Sequence, residues 1–534
     1  MPEIRENCFG EASAGRMAAR MLLLPLFVVA ALLAAVEVRA VEFSIRGFWM
    51  IMLEQGEGGN FVKRGRDGRQ VGGWGRWGED RFRGKSCARL QLDAVASEAL
   101  SGVVYFEIGS TTWGEARKGG AMGSGGGLEI KHSYLNWNIP STRIKCRMGI
   151  QRIALPDFVT NASQVFDADV AGVAFSLPLS EWASMTAFWA RPFNDNWTDE
   201  EIPRRRNFQD NADVWGLTLP LDSDGFRVTP WGMMGAFGAN AFRAGDEYYG
   251  RNAYLTGGLG LSPAFYMLPQ RGVAHARAYA TAFWLGVTGE IAVADPFRFS
   301  WSADYGSVDS GVSALNRHGW YAAVLAEYKL DWGTPGIYAW YSSGDDGNPR
   351  NGSERMPSME ANNEGSNKLS PFGMLGTWTV GRDALLGFTF MGTRGLGVRL
   401  ADIGVFDRQT HTFRVNFYQG TNAAGMAGYI TGRKTIDGYQ GHVPAAGRQI
   451  ADFNSVNGYG LYLTEDDYAA EIGLRSDFQL SDKVHLLMEA NYIALWLDQS
   501  SSVWGGYDRA DGSRVHANST RDAWNVNLSF IYLF

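Results

Sequence analysis

The sequence predicts an all-β protein, a transmembrane antiparallel β-barrel of about 16–18 strands, on three observations. Segments of about ten residues alternate apolar and polar side chains. Many of these segments end in Trp, Tyr or Phe, as strands do at membrane interfaces. Short turns and long loops follow one another along the chain. The chain has 534 residues, 13% of them aromatic, with 67 glycines. Its mean hydropathy is slightly negative. That disfavours a bundle of membrane helices but not a barrel, whose strands also put polar side chains into a wet lumen. With 56 acidic against 49 basic residues the net charge is −7, and nucleic acid is not an expected partner.

The first element is an export signal. Arg16 and Arg20 precede the apolar run 21–36, and Val38-Arg39-Ala40 places small residues where a signal peptidase reads them. This pattern predicts a cleaved signal peptide over 1–40 and a barrel domain over 41–534. The run is shorter than the ~20 residues of a spanning helix, and no later stretch supplies one.

Strands follow. Phe297, Phe299, Trp301, Ala303 and Tyr305 alternate with Arg298, Ser300, Ser302 and Asp304. Trp320, Ala322, Val324, Ala326 and Tyr328 form another apolar row, as do Phe413, Val415 and Phe417, and Val484, Leu486, Met488, Ala490 and Tyr492. The last segment sets Trp524, Val526, Leu528, Phe530, Tyr532 and Phe534 against Asn525, Asn527 and Ser529. Sandwich strands alternate too, but they usually run only about 5–6 residues. Short connections such as Ile139-Pro140-Ser141, Asp295-Pro296 and Leu480-Ser481-Asp482 have hairpin-turn chemistry. Long ones fall near 54–82, 112–126, 154–169, 192–212, 237–277, 344–394, 420–466 and 497–520. Segment 344–394 is too long for a bare loop, which predicts extra strands or a small plug there.

A barrel of this size encloses an open lumen, so the chemistry to look for is a constriction. The strand feeding loop 154–169 carries Arg143, Lys145 and Arg147 on its polar face, the second strand adds Arg89 and the first Arg46. The loop itself carries Asp157, Asp167 and Asp169. Acidic and basic rows facing one another across a lumen set up a transverse field that orients polar solutes. These eight residues are the predicted pore constriction. No cofactor, metal or catalytic site is expected. Cys8, Cys87 and Cys146 form no CxxC or Cys/His cluster. His132 and Ser133 are adjacent, so on a strand they point opposite ways and cannot act as a nucleophile–base pair.

The signal segment, alternating strands, short turns, acidic third loop and terminal Phe534 together resemble the homotrimeric general porins of Gram-negative outer membranes. Tyr341-Ser-Ser-Gly-Asp-Asp346, Gly352-Ser-Glu-Arg-Met-Pro357 and Asp295-Pro-Phe-Arg298 are most similar to porins of sulfate-reducing bacteria. The resemblance implies a water-filled channel for passive diffusion of small hydrophilic solutes, with the third loop folded in as the constriction. A solute-specific, sugar-type channel is the alternative, and a barrel enzyme or adhesin the alternative of another class. It also implies a homotrimer in contact with outer-membrane lipid and lipopolysaccharide. Tyr532 and Phe534 would then be the signal read by the barrel-assembly machinery.

Overall fold

Alternation of this kind requires each strand to have one wet and one dry face, and a computed structural model shows how the chain satisfies both. The structure describes residues 41–57, 81–114, 127–160, 163–194, 211–239, 261–262, 267–269, 278–359, 391–430, 434, 436–437, 439–441, 462–498, 500–504, 507–508, 514–515 and 522–534. The predicted export segment lies outside these residues.

The strands, in chain order, are β1 (Glu42–Glu57), β2 (Arg81–Val95), β3 (Leu100–Thr112), β4 (Leu128–Asn138), β5 (Lys145–Ala154), β6 (Asp167–Pro178) and β7 (Ser184–Asn194). Next come β8 (Asn211–Thr218, resuming at Leu221–Ser223), β9 (Phe226–Phe237), β10 (Ala280–Ile291), β11 (Phe297–Asp309) and β12 (Arg317–Tyr328). The set ends with β13 (Thr334–Ser342), β14 (Thr393–Ile403), β15 (Gln409–Gly420), β16 (Tyr468–Ser481), β17 (Val484–Trp496) and β18 (Ala523–Leu533). Both pieces of β8 pair with β9. The break falls at Pro220, which has no N–H to give to a ladder.

Each strand pairs antiparallel with its neighbours in sequence, and β18 pairs with β1, so the sheet closes on itself as an eighteen-stranded barrel. At the seam Phe534 N–H donates to Gly47 O and Gly47 N–H to Phe534 O, each at 3.0 Å. Trp49, Tyr532 and Phe534 pack as a cluster of rings across it. Eight short connections join the strands at one end and nine longer ones at the other. One of the nine, 310–316, is short enough to have escaped the sequence reading.

The molecule is inside out. Phe43, Ile45, Trp49, Ile337, Leu396 and Phe417 are among the large apolar side chains exposed on outward rows, while Thr288, Asn416, Glu489, Asn527 and Ser529 are buried on inward rows. In water such a surface would aggregate. In a bilayer it is the required exterior, and a closed barrel leaves no unpaired strand edge in lipid. The architecture is that of an outer-membrane barrel, with the long-loop end facing outward from the cell. Among the described residues no helix is long and apolar enough to cross a membrane.

The bore has two regions. Its extracellular half contains an apolar cluster joining loop residues Leu155, Val159, Val165, Met356 and Met359 to inward wall residues such as Trp284 and Tyr321. Part of segment 344–394 thus fills the bore as a plug, and Ser358–Met359 makes a two-residue ladder with Leu261–Ser262. Residues 360–390 lie outside the described residues. Glycines make room for the inward rings. A Cβ on Gly395 would lie 2.4 Å from the Trp340 ring, and one on Gly397 2.6 Å from that of Tyr338.

Candidate functional site: the lined bore

The third loop follows β5 and runs inward. Its tip is anchored when Phe158 N–H donates to Thr288 Oγ1 on β10 at 2.9 Å, across 130 residues of sequence. The Arg227 guanidinium of β9 lies 4.5 Å from the centre of the Phe158 ring. Asp157 is buried and accepts the N–H groups of Val159 at 2.8 Å and Thr160 at 3.1 Å, closing a tight Asx-type turn. Burial pushes its carboxyl up to about 6, against the pull of those N–H groups. Asp304 on β11 and Tyr321 on β12, both buried inward, are its electrostatic neighbours.

The plug is pinned at several points. Trp284 Nε1–H donates to Pro357 O at 2.8 Å. Asp345 accepts Ser353 Oγ–H at 2.6 Å and Tyr462 O–H at 2.9 Å, and pairs with Arg355 at 3.3 Å. Asp467, also buried, accepts Trp504 Nε1–H and Thr464 Oγ1–H, each at 2.7 Å. Burial raises its carboxyl above the usual range.

Below the plug the wall is charged. Arg227 on β9 lies 3.7 Å from Glu290 on β10, and Arg298 on β11 lies 3.7 Å from the same carboxylate. Arg298 and Arg399 (β14) both donate from Nε to Glu327 of β12, each at 2.8 Å. Gly336 lies between Glu327 and Arg399 in register and carries no side chain to block them. Arg414 of β15 sits directly opposite Arg399, and Arg475 of β16 lies 4.0 Å from Glu489 of β17. This ladder lines the periplasmic half of the bore from β9 to β17, alternating in sign as far as Arg399 and then running through Arg414 and Arg475 before Glu489. Sequence reasoning missed it because single charges on single strands look like ordinary lumen residues. The register of the β11–β12 hairpin would have revealed the first pair.

The residues singled out from sequence fall into separate groups. Arg46 is largely exposed near the periplasmic rim and lies 3.5 Å from Asp93. Arg89 pairs with Glu107 at 2.7 Å and stacks over Phe48. Lys145 and Arg147 are on β5, whereas Arg143 lies in the turn before it, because the strand starts two residues later than expected. Arg147 donates to Asn136 Oδ1 at 2.7 Å and lies over the Tyr134 ring. A cavity of about 540 Å³ is lined by Lys145, Arg147, Asn138, Gln151, Ser176 and Thr186, among others.

The three aspartates meet other partners than that basic row. Asp167 pairs with Arg152 of β5 at 2.6 Å. Asp169 pairs with Lys131 at 2.8 Å and His132 at 2.7 Å. Both alternate with Ala168 and Val170, which belong to the lumen's apolar cluster. They therefore occupy the first residues of β6, not the loop where the sequence reading put them. Asp157 alone reaches inward with the loop. Cys87 and Cys146 are buried and free. Among the described residues no group of His, Cys, Asp or Glu is placed to hold a metal ion.

No protein-family model and no curated protein matches the chain. Among solved structures it is similar in outline to Pseudomonas aeruginosa OprD, at 11% identity over 93% of this chain and 97% of that one, with a TM-score of 0.48. Pseudomonas aeruginosa OpdQ is similar at 9% identity over 93% and 98%, TM-score 0.47. The outer membrane protein OpdK of the same organism follows at 7% identity over 92% and 98%, TM-score 0.45.

Proposed function

We propose that the chain is an outer-membrane channel through which small hydrophilic solutes pass along a narrowed, charge-lined path. The observation that carries this reading is the inverted wall: outward rows expose large apolar side chains, while inward rows bury polar and charged ones such as Thr288, Glu327, Asn416, Glu489 and Asn527. A closed cylinder with that distribution has lipid outside and water within.

The narrowing favours a solute-selective channel over the wide diffusion pore expected from sequence. Leu155, Asp157, Val159 and Thr160 of the third loop are all buried inside the barrel, so the loop and the plug occupy cross-section that a wide pore leaves open. The solute then meets the Arg/Glu ladder and the basic group of Arg143, Lys145 and Arg147. Inward aromatics exist, as a sugar slide would need, but Trp284, Tyr321, Tyr338 and Tyr418 lie buried beneath the loops.

Planar-bilayer recording tests the reading. Small unitary conductance that saturates with one class of solute supports it. Large ohmic conductance indifferent to solute returns the wide-pore reading, and absence of conductance removes the channel altogether. Export through residues 1–40, assembly through Tyr532 and Phe534, and a trimeric state belong to the same proposal. Light scattering in detergent decides between one and three copies.

A further inference from the structure

Near the extracellular rim, the outward face of β13–β17 breaks the apolar rule of the belt. Arg394 of β14 shares its row with Leu396 and Val398, which are exposed on the lipid side. Its guanidinium donates to Gln419 Oε1 from Nε at 3.1 Å and from Nη2 at 2.8 Å. Gln419 in turn donates to Tyr468 Oη at 3.1 Å. Among the described residues Arg394 has no ion pair, and the carboxylate of Glu465 on the adjoining rim is turned to Ala424 N–H. Two other outward-row arginines differ. Arg152 faces Asp167 and Arg191 faces Asp213.

Aromatic rings flank the unmatched cation. Tyr341 is its cross-strand neighbour and stacks on Trp320 at 4.6 Å and 18°. Tyr468 and Trp496 continue the row and are exposed. Between them lies a cavity of about 420 Å³ lined by Tyr341, Arg394, Leu396, Phe417, Gln419 and Trp496.

We propose that this cavity binds a phosphorylated glycolipid of the outer leaflet. Among the described residues Nη1 of Arg394 has no partner, and one of its N–H groups together with the outer N–H of Nη2 forms the parallel pair with which a guanidinium holds a phosphate in a forked contact. Flat aromatic faces at interface height suit a sugar ring. Leu396 and Phe417, lower on the same outward rows, suit the start of an acyl chain. The site depends on which face is outward and which end is extracellular, and it stands whether or not the bore conducts.

Native mass spectrometry of the detergent-solubilised full chain, with three added lipids, tests it. Monophosphoryl lipid A is expected to bind about tenfold more tightly than monogalactosyl diacylglycerol, which lacks phosphate, and than dioleoyl phosphatidylglycerol, which lacks sugar. Arg394→Gln should remove most of the difference, and Trp496→Leu part of it. Arg394→Lys, which keeps the charge but not the fork, should fall between and covers the case in which the glutamine variant does not fold. Equal binding of either control lipid, or undiminished lipid A binding by a folded Arg394→Gln protein, overturns the proposal.

Discussion

Asp157 is the residue on which the third loop turns. Its carboxyl titrates near 6 in the docked loop, against 3.8 for the free group, because burial penalises the anion. The docked loop therefore holds its proton more tightly than the free loop does. Docking strength contributed by this group is complete below about pH 4 and is lost as pH rises through about 6. The nearby Arg227 guanidinium does not offset this, since it lies over the Phe158 ring. Hydrogen exchange over 155–160 should show protection falling between pH 4 and pH 7. Asp157→Asn should abolish that dependence and leave the loop protected at neutral pH. An unchanged profile in the variant would falsify the role given to this side chain.

Strands carry the next level of argument. Facing rows were legible because a period of two reports which side of a strand a residue occupies. The Phe297 to Tyr305 and Trp320 to Tyr328 rows lie outward as expected, as does the row ending at Tyr532. Arg298 and Glu327 sit on complementary rows of one hairpin, so their pairing was recoverable. Phe158 with Thr288, and Arg399 with Glu327, were not. Those contacts span 130 and 72 residues, and the loop path that closes them is set by packing that no local pattern encodes. For the same reason the sequence pattern places Asp167 and Asp169 in the loop, although they begin β6. One substitution and one deletion test the element scale. Gly395→Val would drive a side chain into Trp340 and the Phe417 carbonyl, and it should cost about 1–3 kcal/mol in urea titrations of the detergent-solubilised barrel. Deleting Phe534 removes the two seam hydrogen bonds and the rings stacked there. It should lower the folded fraction seen as heat-modifiable migration on gels, with normal yield counting against a role in assembly.

At the scale of the whole molecule the bore divides into a plugged extracellular half and a charged periplasmic half, and each predicts a separable phenotype. Removing 343–359 should raise unitary conductance severalfold while leaving ion preference nearly unchanged, because the ladder below is untouched. Replacing Arg143, Lys145 and Arg147 together by Glu should do the reverse, shifting the reversal potential in a salt gradient toward cation preference with little change in conductance. A reversal potential that stays put would place these three residues off the path. The seam between β1 and β18 carries a further consequence, one of timing. The outer edge of the first strand finds its partner only in the last residues of the chain, so no intermediate length of polypeptide can satisfy the sheet. The circle therefore cannot shut until the strand ending at Leu533 has been made, and until then one edge of the first strand waits unpaired.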